Sequence, residues 1–226
     1  MTPTDKKLSS KEALLEAATC LFTEKGYDAV STREIADQAH VNLGAIQYHF
    51  GSKASLFIAA MRCMMAGNDC DQAHKELEEQ YSSREDAANG LRKFIGSFLQ
   101  YMLNADGPQP CRLMFREVFT GTGKDPELFE ILTATVVNEF IKPVDSALLR
   151  LLRFINPALS QSELEMSCQS IIGQCSFYVT HGPFIERLRN VQLRSDLYFG
   201  QLVDHITKFT LLGIGCEADF IKRALR

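Results

Sequence analysis

Residues 31–57 read STREIADQAHVNLGAIQYHFGSKASLF. Ser31, three residues before Glu34, has the form of a capping box that starts a helix. Ile35, Ala36 and Ala39 then fall at helical spacing, and after a turn near His40–Val41 the pattern resumes with Val41, Ile46 and Phe50. Two short helices are predicted, near 32–39 and 43–49. They are too short to bury much alone and must pack on each other and on a neighbour. Residues 10–25 supply that neighbour: Leu14, Ala18, Leu21 and Phe22 line one face, and Ser9 with Glu12 forms another capping box. Ala36 is small where the two short helices would approach closest. A steep crossing there is helix-turn-helix geometry, in which the second helix of the pair projects into the major groove of DNA. On spacing alone, a generic three-helix bundle is an equal reading.

Charge separates the two readings. Residues 1–55 are not basic overall, since Lys6, Lys7, Lys11, Lys25, Arg33 and Lys53 are offset by Asp5, Glu12, Glu16, Glu24, Asp28, Glu34 and Asp37. Between Gln38 and Asn68, however, no acidic residue occurs. The presumed groove helix and the start of the next helix therefore carry nothing that repels phosphate. Lys53 and Arg62 are the cations of that stretch, with His40 and His49 as further donors. Thr32 and Lys53 each stand at a helix start, where free N–H groups favour a phosphate.

The same residues resemble the DNA-binding pattern of the TetR family. Thr-Arg-Glu-Ile-Ala at 32–36 is followed by a turn ending in Val41, a short helix closing on Tyr48-His49-Phe50, then Ser52-Lys53 and Leu56. The resemblance implies that Thr32, Tyr48, His49 and Lys53 touch backbone phosphates, and that Leu43, Gly44, Ala45 and Gln47 lie nearest the base edges. Of the base-facing set only Gln47 has a side chain able to make a bidentate contact, with adenine favoured by geometry; Leu43 and Ala45 suit thymine methyl groups. The family usually has Gly in the turn where this chain has His40. That position often needs a positive φ, which His tolerates better than most residues.

Outward from this stretch the pattern stays helical. Ser82 with Glu85 and Ser160 with Glu163 are further capping boxes, and Pro126 after Asp125 suits a first helical position. Alternating β-branched runs with hairpin turns are absent. The predicted helices span about 10–25, 32–39, 43–49, 53–80, 84–104, 110–119, 126–154, 161–181, 195–213 and 217–224. The expected fold is all-α: an N-terminal three-helix domain over 1–52, joined through the helix beginning at Lys53 to a larger helical bundle over 53–226.

Two features give that bundle work to do. Phe94, Phe98, Met102, Met114, Phe115 and Phe119, with Arg116 and Glu117 among them, suit a small-molecule site of mostly apolar lining with few polar anchors; packed core is the competing reading. Ile171, Ile172, Cys175 and Val179, with Leu202, Ile206 and Phe209, suit a four-helix interface between two copies, against packing within one chain. The stretch 111–144, with SIIGQCSFYVTHGPFIERL at 170–188, resembles the C-terminal domain of the CerR (CecR-like) branch of the TetR regulators.

The 226 residues carry a net charge of −4, too acidic for a protein that coats nucleic acid through charge alone, yet compatible with a local basic face. No apolar run spans a membrane, and the N-terminus lacks a signal-peptide core, so a cytoplasmic location is expected. HExxH, GxSxG, Walker and GxGxxG patterns are missing, which argues against an enzyme, and no cofactor is implied. Seven scattered cysteines form no CxxC pair. Cys70 with His74 is a weak metal pattern, and Cys63/Cys70 and Cys168/Cys175, each seven apart, a weak redox one. The expected function is a transcriptional regulator, a repressor released from a palindromic double-stranded operator by a small-molecule effector and acting as a homodimer. The alternative is a helical ligand-binding or redox-sensing module whose helix-turn-helix no longer binds DNA.

Overall fold

The computed structural model describes residues 8–65, 77, 80–103, 113, 116–117 and 126–226, and every regular element among them is helical. In chain order these are α1 (Ser10–Lys25), α2 (Thr32–Gln38), α3 (Gly44–Phe50), α4 (Lys53–Met65), α5 (Arg84–Leu103), α6 (Pro126–Val136), a π-helical turn (Val137–Ile141), α7 (Lys142–Ile155), α8 (Gln161–Arg189), α9 (Asp196–Gly213) and α10 (Ala218–Ala224). The chain divides into two compact units, Met1–Gly67 with Asp106–Val137, and Asn68–Ala105 with Asn138–Arg226.

In the first unit α1 packs on α2, α3 and α4, and α4 also meets α6. The capping box at Ser9 forms: the Glu12 N–H donates to the Ser9 hydroxyl and the Ser9 N–H to the Glu12 carboxylate. Leu14, Ala18 and Phe22 of α1 are wholly buried, as are Leu56, Phe57 and Ala60 of α4. Phe22 and Phe57 meet edge to face at 5.0 Å, and Tyr27 meets Phe57 in the same way at 5.3 Å. Each such pair adds about 0.5–1.5 kcal/mol to plain burial. This aromatic knot fixes α4 against α1, and α3 is carried between them on buried Ile46.

In the second unit α5 is the central element, packed against α7, α8, α9 and α10. Its Ala87, Leu91, Phe94, Ile95 and Leu99 are wholly buried. The predicted box at Ser82 and Glu85 does not form; Ser83 caps α5 instead, without a reciprocal bond to its own N–H. The Asp86 N–H donates to the Ser83 hydroxyl, and the Asp86 carboxylate accepts from the Ser82 N–H and hydroxyl. The Ser160–Glu163 box forms as expected.

Helix lengths depart from the prediction in two places. The 126–154 stretch is helical throughout but interrupted by the π turn, which lies where one unit gives way to the other. The helix expected at 161–181 continues to Arg189 through Gly182 and Pro183. Gly182 is buried, and a Cβ there would lie 3.1 Å from Leu193 Cδ1, so glycine permits a close approach rather than ending the helix.

The residues chosen for a two-fold interface need correction. Ile171, Cys175, Leu202 and Ile206 are buried within the protomer, while Ile172 and Val179 are half-buried and Phe209 is exposed. α8 is apolar on two sides. Leu164, Cys168, Ile171 and Cys175 face inward, whereas Met166, Phe177, Phe184 and Leu188 are exposed. Such a helix shows no single polar face from which the inward side can be read.

Candidate nucleic-acid interface

The site is built on α2, α3 and the turn joining them. Ser31 caps α2, its hydroxyl accepting from the Glu34 N–H at 3.1 Å, but Glu34 does not reach back to the cap. Its carboxylate instead takes the Lys25 ammonium at 2.7 Å. The pair holds the Glu34 carboxyl below, and the Lys25 ammonium above, their ordinary pKa values. An acidic group near the head is thereby neutralised, and the end of α1 is tied to the start of α2.

The turn is a Schellman motif. The Val41 N–H donates to the Ala36 carbonyl at 3.0 Å and the His40 N–H to the Asp37 carbonyl at 3.2 Å, with His40 left-handed at φ 54°. This is the positive φ expected at the position. Asn42, not singled out from the sequence, accepts the Gly44 N–H on its side-chain oxygen at 2.8 Å and so satisfies one free donor of α3. An Asn two residues ahead of a helix start is a readable signal for this turn.

On α3, Ile46 points into the core. Leu43, Gly44, Gln47 and Tyr48 are exposed on one face, and Ala45 and His49 are half-buried beside them. Tyr48 is 84% exposed and Leu43 49%, with the Tyr48 ring edge-on to His49 at 4.9 Å. A bare phenol on a seven-residue helix and a bare leucine at its N-cap make a surface that gains by being covered. Thr32, at the first position of α2, is half-buried. Lys53 begins α4, where its ammonium donates to the Tyr27 carbonyl at 2.6 Å and stands 4.0 Å from the centre of the Tyr27 ring.

These placements are a helix-turn-helix, and the comparisons agree with it. The family model for bacterial regulatory proteins of the tetR family matches residues 9–60. The model for the C-terminal domain of the HTH-type transcriptional dual regulator CecR matches residues 87–214. The chain belongs to the TetR family. It is a DNA-binding transcriptional regulator with a CecR-type C-terminal domain. Among curated TetR-type relatives, RutR of Escherichia coli K12 is 24% identical over 209 residues, covering 91% of each chain. The probable regulator YttP of Bacillus subtilis is 32% identical over 114 residues, half of this chain and 52% of that protein. In fold, Bacillus subtilis FadR, solved with stearoyl-CoA, is similar with a TM-score of 0.60 at 19% identity, over 89% of this chain and 97% of that one.

Of the residues expected to hold an effector, Phe94, Phe98 and Met102 lie on α5 of the second unit. Phe94 is wholly buried and Met102 buried; Phe98 keeps part of its ring accessible and stacks on Phe94 at 5.5 Å. Arg116 lies at the end of α1 in the first unit, its guanidinium donating to the Phe22 carbonyl at 2.7 Å. Met114, Phe115 and Phe119 lie outside the described residues, as do Cys70 and His74. Among the described residues no group of three or more His, Cys, Asp or Glu could hold a metal ion. A groove of about 750 Å³ opens instead between α1 and α4, lined by Leu15, Thr19, Cys20 and Cys63 with Glu12, Glu16 and Glu24 around it. Burial pushes the Cys168 and Cys175 thiols up to about 12, the opposite of what a reactive pair requires.

Proposed function

We propose that this chain is a repressor that binds a palindromic operator as a homodimer and leaves it when a small apolar or amphipathic effector binds. The observation that carries the reading is the exposed face of α3. Leu43, Gly44, Gln47 and Tyr48 are presented together, with Ile46 anchoring the helix from behind. Gln47, Leu43, Gly44 and Ala45 meet base edges, and Thr32, Tyr48, His49 and Lys53 meet phosphates. Residues 1–52 do the reading, helped by Lys53 at the start of α4, and the rest of 53–226 binds the effector and pairs the two copies. The pairing surface is the outer face of α8 and α9: Phe177, Phe184, Leu188, Phe209 and Leu212, all exposed. The effector enters the second unit beside Phe98. The protein is not an enzyme and works in the cytoplasm; no helix among the described residues is long and apolar enough to cross a membrane.

A gel-shift series with genomic fragments tests the reading. A subset of fragments retained at physiological salt against excess competitor, and released by a long-chain acyl-CoA or a comparable amphiphile, supports it. Uniform weak retention of every fragment would leave the alternative, a helical module whose helix-turn-helix no longer reads DNA.

A further inference from the structure

The last turn of α1 and the residue after its terminal glycine are held by groups from three places in the sequence. The Phe22 carbonyl accepts the Gly26 N–H at 2.9 Å and the Arg116 guanidinium at 2.7 Å. A guanidinium against the carbonyls at a helix C-terminus is matched to the negative end of its dipole. Next to it, buried Glu117 accepts the Tyr27 N–H at 3.2 Å and the Arg116 Nε–H at 3.3 Å. Gly26, at φ +85°, leaves the backbone bare. A Cβ there would lie 3.0 Å from the Glu117 carboxylate and 3.2 Å from the guanidinium. Arg116 and Glu117 therefore lie directly on the main chain of the turn.

Tyr27 is gripped at both ends of its backbone. Its N–H goes to Glu117, while its carbonyl accepts from Lys53, whose ammonium also sits over its ring. The ring in turn is locked between Phe22 and Phe57. The backbone that anchors Lys53 thus lies against Arg116 and Glu117, roughly ninety residues further along the chain. We propose that Arg116 and Glu117 are positioning residues for DNA binding: they fix the Gly26–Tyr27 turn and, through the Tyr27 carbonyl, the place of the Lys53 ammonium. A lysine ammonium on its flexible stem carries three donors, so a bond to a backbone carbonyl is compatible with one to a phosphate from the same place. This rests on the reading above that Lys53 meets a phosphate.

The test is a salt titration of binding to a duplex enriched from a random DNA pool, with Lys53→Ala, Arg116→Ala and the double variant. Lys53→Ala lowers the slope of log affinity against log salt by about 0.9 per half-site. Arg116→Ala, still folded by circular dichroism, lowers it by a similar amount with about tenfold weaker binding. The double variant is no worse than Lys53→Ala alone, because the two residues act through one contact. A slope unchanged by Arg116→Ala while Lys53→Ala reduces it, or losses that simply add, overturns the proposal and leaves the phosphate contact standing. A slope unchanged by Lys53→Ala overturns the phosphate contact itself, and the positioning role with it. Glu117→Gln keeps an acceptor for the Tyr27 N–H but drops the charge that holds Arg116, and it is judged by the same slopes should Arg116→Ala not fold. A lower melting temperature with an unchanged slope marks a purely structural clamp and overturns the proposal.

Discussion

In the proposed reading, Gln47 is the residue on which sequence preference turns. It is exposed on α3 among Leu43, Gly44 and Tyr48, none of which offers a side-chain pair of hydrogen-bonding groups. Gln47→Ala is expected to cost about 1–3 kcal/mol per half-site and to relax preference at one base position. Binding selections with the variant check this, and a uniform loss with unaltered preference contradicts it. His40 sets the angle between α2 and α3 from φ 54°. A β-branched residue is poorly tolerated there, so His40→Val should lower stability by about 1–2 kcal/mol in urea unfolding, while His40→Asn should be nearly neutral. The cysteines divide by burial. Cys168 and Cys175 hold their protons to about 12 in the folded protein, whereas an unfolded thiol ionises near 8.5. Iodoacetamide at pH 8 should therefore modify exposed Cys20 and Cys63 and spare Cys168 and Cys175 until the protein unfolds. By the same linkage, the stability these two thiols contribute is complete below about pH 8.5 and is lost as pH rises toward 12.

At the scale of the element, the legible parts are those where local chemistry decides. Ser9, Ser31 and Ser160 announce their helices because a cap is a contact between residues three apart, and the positive φ of His40 follows from a turn of fixed length. Where tertiary contact decides, the pattern is silent. Gly182 and Pro183 look like a helix end, yet close packing on Leu193 carries α8 past them. The π turn at 137–141 leaves no mark in the spacing of apolar residues. The two apolar sides of α8 do not say which is the core. Nor does anything near Tyr27 foretell that Arg116 and Glu117 lie against it, since that contact bridges about ninety residues. The helix-turn-helix is legible because it occupies one short stretch of chain. The placement of Arg116 is not, because it joins distant ones.

In the proposed reading the whole molecule acts as two copies, and the pairing face is open to a direct trial. Phe184 and Phe209 are 73% and 59% exposed, so Phe184→Arg with Phe209→Arg should leave the fold intact and shift sedimentation from dimer to monomer. Ile206→Arg, at a position 1% exposed, should instead unfold the second unit, because it buries an unpaired charge. A double arginine variant that stays dimeric would move the interface elsewhere. Dimerisation bears on recognition because two α3 helices must reach successive major grooves, whose centres repeat every 34–36 Å or so along the duplex. Selection of bound duplexes from a random pool therefore tests the central claim most directly. The account predicts an enriched inverted repeat with half-sites about one helical turn apart or a multiple of it, one position of each relaxing with Gln47→Ala. A pool that stays random after repeated rounds, or an enriched site without two-fold symmetry, would contradict it.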